Sequence, residues 1–422
     1  MSTALLTYEE AAAVALDHAA RLRAPALTIE RIDLAGAAGR TLARALRADR
    51  DQPAFARSTR DGFACRAEEA SRHEPLRVAG ATRAGQPPPG PLPPGAAWEI
   101  MTGAPVPDGA DAVMMIEHVE TTGGNVRLLL PRTMNTGENI VARGAQARAG
   151  DELLPAGTVM GAGQIALAAS CGKTALEVCV RPRVAVVSTG DELVPAGRDP
   201  APGQIRNSSS PMLAAMVAAA GGEPWILPTA ADNEAELDAV MAQAAMADML
   251  LVTGGVSAGK FDLVEPSLAR AGARFHFTGV RIQPGKPLVF AELPRDENAE
   301  KQPRVLPVFG LPGNPVSSAV TFLLFAAPVL AALGGRIEIG PRFALARLSA
   351  APGRRAKGGL TRFLPALCTF GARPGSMPEV ALVPWQGSGD LAALGRCNCF
   401  MVLNDDDPRA LEAGDAVRIL LI

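Results

Sequence analysis

The sequence predicts a multidomain α/β protein, and three observations carry that expectation. Apolar runs at residues 184–188 and 249–253 alternate with helical segments at 212–220 and 234–245, the rhythm of a parallel sheet covered by helices on both faces. Short apolar runs broken by glycine and proline fill residues 50–140 and return beyond Gly340, which reads as β-structure on either side of that sheet. At 422 residues, the chain is also longer than one hydrophobic core usually serves.

In chain order, residues 7–23 place Ala11, Val14, Ala15, Ala19 and Leu22 at helical spacing. Thr7 stands as N-cap with Glu10 three residues on, so an amphipathic opening helix is expected. The β-rich insert has strand-like runs at 113–116 and 126–130. Between Gln86 and Gly95 lie six prolines, which predict a rigid exposed connector. In the α/β region each apolar run ends in glycine: Gly190 after the first, Gly254 and Gly255 after the second, Gly310 and Gly313 after the run 305–309. Ligand sites of such sheets lie at these carboxyl ends. Asn314 then reads as an N-cap and Pro315 as the first position of an apolar helix reaching about Leu333. Residues 416–422 form the last strand of a small C-terminal β-domain, and no internal repeat is visible.

Composition excludes several classes of function. A hydrophobic fraction of 48%, a charged fraction of 20% and a net charge of −2 lack the basic balance of a nucleic-acid binder, so any anion site must be local. Aromatic residues are 4% of the chain, so helices are expected to pack through small side chains rather than around rings. The start has no basic and apolar leader, and no run approaches the roughly 18 apolar residues of a membrane span, so a cytoplasmic protein without membrane contact is expected. Six cysteines read as structural thiols, with Cys397 and Cys399 closer than a zinc knuckle spaces its ligands. His18, His73, His118 and His276 form no ligand-spaced cluster and read as surface or core residues.

Four segments offer chemistry. Gly254-Gly255-Val256-Ser257-Ala258-Gly259 follows a strand and precedes a helix expected near Asp262. Its amides could face an anion, although turn geometry alone accounts for it equally well, and it is neither a Walker loop nor a dinucleotide fingerprint. Ser188-Thr189-Gly190-Asp191-Glu192-Leu193 presents adjacent hydroxyls and carboxylates, which meet a phosphate-rich ligand through Mg2+ or simply favour a helix start. Asp232 and Asp262 add carboxylates to the same sheet edge. Gln283-Pro284-Gly285-Lys286-Pro287 offers one ammonium from a stiff loop, and Gly310-Leu311-Pro312-Gly313-Asn314-Pro315-Val316-Ser317 is a rigid strand-to-helix turn. In the insert, Ser58-Thr59-Arg60-Asp61 and Met101-Thr102-Gly103-Ala104-Pro105 read as loops from turn chemistry alone.

Taken together, these segments resemble the MoeA family and the E domain of gephyrin, over essentially the whole chain and in the family's order. The resemblance implies insertion of molybdate into adenylyl-molybdopterin with release of AMP. It also implies four parts: a discontinuous helical domain at 1–45 and 142–178, a β-rich insert at 46–141, a MogA-like molybdopterin-binding α/β sandwich at 179–335 and a C-terminal β-barrel-like domain at 336–422. By the same resemblance, Asp61, Thr102, Glu192, Asp232, Asp262 and Lys286 are candidate catalytic residues. Ser188, Thr189, Gly190, Gly254, Gly255, Ser257, Pro312, Gly313, Asn314, Pro315, Arg362 and Ser388 are candidate substrate contacts, and Asp191, Glu192 and Asp262 candidate ligands of Mg2+.

The resemblance further implies a homodimer with a shared active site, a MogA-like adenylyltransferase upstream and molybdoenzyme-specific chaperones downstream. The chain departs from the family pattern at Thr59-Arg60 before Asp61, at Gln283 where lysine is common, and at Lys260, Val141, Ala145 and Gln146. Two other readings are an adenylyltransferase, as in MogA-like proteins, and a scaffold that anchors receptor tails, as in gephyrin. The insert and C-terminal domain argue against the first, and the missing adaptor domain against the second.

Overall fold

The computed structural model describes residues 5–22, 27–87, 89–256, 263–295, 305–352, 359–371, 375–404 and 411–422. Its central sheet has six strands in the order Glu223–Ile226, Arg183–Ser188, Met249–Thr253, Val305–Leu311, Val289–Pro294, Arg274–Phe277. The first four strands pair in parallel and the last two pairings are antiparallel, so the sheet is mixed. Every residue of Met249–Thr253 is buried, as expected of a strand covered on both faces. The outer hairpin is less visible in the sequence because Arg274, His276, Glu292 and Pro294 interrupt its apolar residues. Helices Ser209–Ala219 and Glu234–Ala244 lie where the periodicity predicts them, and Asn233 caps the second by accepting the Glu236 N–H at 2.9 Å.

The opening helix, Tyr8–Leu22, begins with the expected reciprocal cap: Thr7 N–H donates to Glu10 Oε2 at 2.8 Å and Glu10 N–H to Thr7 Oγ1 at 3.1 Å. Ala11, Ala15 and Ala19 are fully buried in one core with the last helix of the α/β layer, where small side chains let backbones approach closely. Rings are nevertheless central to that core, contrary to the expectation from composition. Phe290 stacks on Phe309 at 4.4 Å, and Tyr8 meets Phe325 and Phe363 edge-on at 6.2 and 5.6 Å. The few aromatics are concentrated rather than spread, and each fully buried Phe contributes about 1.5–3 kcal/mol.

Beyond Asn314 the chain is helical from Pro315 to Leu333, with one π turn at Phe322–Ala326 just before Pro328, which has no N–H to offer that turn. This stretch of 19 residues has the length and hydropathy of a membrane span, which corrects the expectation that no run comes near. It is 83% buried inside the fold, so its apolar character is that of a core helix.

Three short antiparallel ladders zip the chain on its way out to the insert against its way back: Ile29–Asp33 with Ala175–Cys179, Leu46–Arg47 with Glu152–Leu154, and Arg57–Ser58 with Ile140–Val141. At their far end lies a second six-stranded sheet, from Ala112–Met115 at one edge to Val119–Thr122 at the other. In the C-terminal part, Thr361–Thr369, Glu379–Leu382, Phe343–Leu348, Ala416–Leu421 and Cys399–Leu403 close into a barrel, since the last pairs back onto the first. Ile282–Gln283 joins it in parallel beside Thr361 and Arg362 and so ties barrel to central sheet. All six cysteines are free and five are buried. Burial pushes the thiols of Cys65 and Cys399 up to about 12 and that of Cys397 up to about 11, as suits packing residues.

Candidate active site

The central sheet reverses its winding between Arg183–Ser188 and Met249–Thr253, because the strand that follows the first in sequence lies on its other side. Strand ends at such a switch point diverge and leave a crevice. Here the ends are pinned by backbone bonds: Thr189 N–H donates to the Thr253 carbonyl at 2.9 Å, Gly190 N–H to that of Ala230 at 3.3 Å and Gly254 N–H to that of Leu311 at 3.2 Å. The glycine loop, the acidic turn and the proline-rich turn are therefore one framework. Gly254 is required there, since its φ is +96° and a Cβ would stand 2.6 Å from the Thr189 carbonyl oxygen.

Above this framework lies an open cleft of about 870 Å3, within the usual range for small-molecule sites. Of the sequence candidates it gathers Ser188, Thr189, Gly190, Glu192, Asp232, Gly254, Gly255, Pro312, Gly313, Asn314 and Pro315 along its wall. Asp191 is adjacent, with its Oδ1 accepting the Asp232 N–H at 3.1 Å. Ser188 Oγ is buried and bonded to Ser210 Oγ at 2.7 Å, which commits it to holding the helix at Ser209. Thr189 Oγ1 is buried without a hydrogen-bond partner. Ser257 and Asp262, like Lys260, lie outside the described residues.

Gln204, Arg206, Ser208, Ser209, Gly389 and Leu391 complete the wall and were not found from the sequence. Behind this part of the wall Asn207 and Ser210 form a buried network, in which Asn207 Nδ2 donates to Ser210 Oγ at 3.0 Å and the Ser210 N–H to Asn207 Oδ1 at 3.0 Å. Arg206 is the only basic side chain on the wall among the described residues, paired with Asp199 at 2.7 Å.

The start of the helix at Pro315 is held across domains. Asn314 occupies the N-cap position but makes no side-chain cap bond; its Nδ2 donates to Ser388 Oγ at 3.0 Å, while the Ser388 carbonyl takes the Val316 N–H at 3.0 Å. Ser388 thus fixes the C-terminal part against the cleft. Lys286 is exposed, next in sequence to the lining residue Pro287, and Arg362 is buried beside Gln283 in the parallel ladder, away from the lining. The Gln283 amide oxygen is itself buried without a partner.

In the insert, Asp61 Oδ1 accepts both the backbone N–H of Thr102 at 2.6 Å and its Oγ1–H at 2.7 Å. The amide, then the hydroxyl, holds the carboxyl below the usual carboxylate range, so it stays ionised on an exposed surface. The structure brings these two candidates together, but neither lines the cleft of its own chain.

The family described as "MoeA N-terminal region (domain I and II)" matches residues 6–172, and that described as "Probable molybdopterin binding domain" matches 185–332. A molybdopterin molybdenumtransferase of Nostoc sp. is 39% identical over 72% of this chain and 70% of its own length. The chain belongs to the MoeA family of molybdopterin molybdenumtransferases. Another member, from Bacillus subtilis, is 33% identical over 91% of this chain and 87% of its own length. A solved molybdopterin biosynthesis MoeA protein of Pyrococcus horikoshii OT3 superposes with a TM-score of 0.78 at 26% identity, covering 99% of this chain and 100% of that one. The expected fold class, a mixed α/β sandwich with a β-rich insert and a C-terminal barrel, is the one found.

Proposed function

We propose that this chain inserts molybdate into adenylyl-molybdopterin with release of AMP, in the cleft at the switch point. The observation that carries the reading is the convergence there of a glycine loop, an acidic turn and two helix starts on one open crevice. The amide of Gly255 and the unpartnered Thr189 hydroxyl suit phosphate oxygens, and the starts of the helices at Ser209 and Pro315 add positive potential. Asp191 and Glu192 supply hard oxygen donors that fit Mg2+, with Asp262 as a further ligand, and Asp232 adds a catalytic carboxylate to the wall. Bound Mg2+ would neutralise phosphate charge as AMP departs.

The remaining roles fall to the chain's own groups. Asp61, ionised and held in place by Thr102, takes the proton from the water that attacks the phosphoanhydride. Lys286 holds molybdate or phosphate oxygens, and Arg362 and Ser388 bound the distal end of the site. Since Asp61 and Thr102 are absent from their own chain's cleft, they act in that of a second copy, in a cytoplasmic homodimer whose site is shared. The discontinuous domain, insert, α/β domain and barrel divide near residues 45, 141, 178 and 335. A MogA-like adenylyltransferase supplies the substrate, and molybdoenzyme-specific chaperones receive the product.

Two experiments test this. Asp61→Ala and Lys286→Ala proteins, each inactive, should regain activity when mixed, because one site in each mixed dimer is intact; no recovery despite confirmed mixed dimers would place the site within one subunit. Incubation with ATP and unmodified molybdopterin should consume no ATP, and consumption would favour the adenylyltransferase reading.

A further inference from the structure

Where the opening helix crosses the outer hairpin of the central sheet, three side chains with metal-binding atoms meet, although the sequence showed no histidine cluster. His18 comes from Tyr8–Leu22, His276 from Arg274–Phe277 and Glu292 from Val289–Pro294. His18 Nδ1 lies 2.8 Å and His276 Nε2 lies 3.4 Å from the same oxygen, Glu292 Oε1. The three donor atoms are within 4.8 Å of one another. We infer that His18, His276 and Glu292 bind one divalent transition-metal cation, with Zn2+ the best chemical match, which fastens the opening helix to the sheet.

The first support is burial without hydrogen bonding. The side chains of His18, His276 and Glu292 are 2%, 9% and 13% exposed. Despite the short distance, His18 Nδ1 has no hydrogen-bond partner, so the carboxylate is not in line with its ring N–H. A buried imidazole nitrogen facing a carboxylate without that bond is costly, and a shared cation satisfies all three groups at once.

Geometry and chemistry agree with that. Zinc bonds of about 2.0–2.2 Å in a tetrahedron put ligand atoms about 3.3–3.5 Å apart. The separation of 3.4 Å between His276 and Glu292 already matches, the 2.8 Å between His18 and Glu292 is about half an ångström short, and all three atoms lie within 4.8 Å of one another. Two imidazoles and a carboxylate are a zinc donor set, whereas Mg2+ takes oxygens.

The rings are also held in place. His276 stacks on Phe290 at 4.6 Å and meets His18 edge-on at 5.1 Å. It sits where the strand register shifts between Phe275 and Phe277, a break that re-aims a side chain. None of the three residues lines the cleft, so the inference does not rest on the proposed reaction.

The test uses the full chain, stripped with a chelator and titrated with Zn2+ by calorimetry, with Mg2+ as control. One saturable Zn2+ per chain is expected, absent with Mg2+. At a hundredfold excess over its Kd, Zn2+ should shift the folding equilibrium towards the native state about 100-fold, read as a rise in Tm. Glu292→Gln and His276→Gln should lose both the equivalent and the rise. Co2+ bound to the unaltered chain should give tetrahedral visible bands without thiolate charge transfer, a readout independent of how the variants fold. Absence of saturable Zn2+ binding, undiminished binding in either variant, or a thiolate band would each overturn the inference.

Discussion

Replacing Gly254 by alanine tests how the switch point is built. The new Cβ would lie 2.6 Å from the Thr189 carbonyl oxygen and 2.8 Å from its Oγ1, in a residue whose φ is +96°. Backbone strain at that φ costs about 1–3 kcal/mol. Relief of the clash against backbone, rather than a flexible side-chain end, adds about 1–2 kcal/mol. A total of about 2–5 kcal/mol corresponds to a drop in Tm of roughly 4–20 °C for a domain of this size.

Because the displaced carbonyl belongs to the residue whose N–H bonds to Thr253 at 2.9 Å, the cleft should distort as well, and substrate affinity should fall with stability. The control is Gly163→Ala, on the exposed first turn of helix Ala162–Ser170, where a Cβ meets nothing within 4 Å. It should stabilise slightly, by about 0.5 kcal/mol. Differential scanning calorimetry of both variants, with binding of substrate measured in parallel, checks the expectation. A Gly254→Ala protein that melts with the unaltered chain and binds equally well would refute the reasoning.

Two further outcomes follow from single contacts. Asp61 has a depressed folded-state pKa, so its contribution to stability is present above the ordinary carboxylate value and is lost as pH falls through the lowered one. In Thr102→Val the carboxyl should titrate nearer the ordinary value, moving the acid limb of the kcat/KM profile upward; an unmoved limb would detach Asp61 from that limb. Asn314→Ala removes the bond to Ser388 Oγ at 3.0 Å and should cost about 0.5–1 kcal/mol in urea unfolding, with a larger rise in KM than fall in kcat. Equal effects on both would argue against a positioning role.

The sequence was most informative where both faces of an element are buried. Met249–Thr253 and Arg183–Ser188 are nearly continuous apolar runs, and their terminal glycines mark the ends that form the site. The alternation of strand and helix makes those ends converge, so the glycine and acidic turns of the cleft were legible from pattern and the family from resemblance. What escaped depends on contacts between distant segments. Asp61 and Thr102 were named only through family resemblance, and their mutual bond escaped because it joins turns at the ends of two neighbouring strands far apart in sequence. Ser208 and Ser209 escaped because they reach the cleft from beside a buried network of Asn207 and Ser210 that only the fold assembles. His18, His276 and Glu292 belong to a helix and two strands whose proximity only the fold creates.

The central claim is tested most directly by adding molybdate to pure protein, Mg2+ and adenylyl-molybdopterin and following AMP. AMP should appear only when molybdate is present, in step with molybdenum bound to the pterin, and not with the Asp61→Ala protein. No release of AMP, or release indifferent to molybdate, would contradict the assignment.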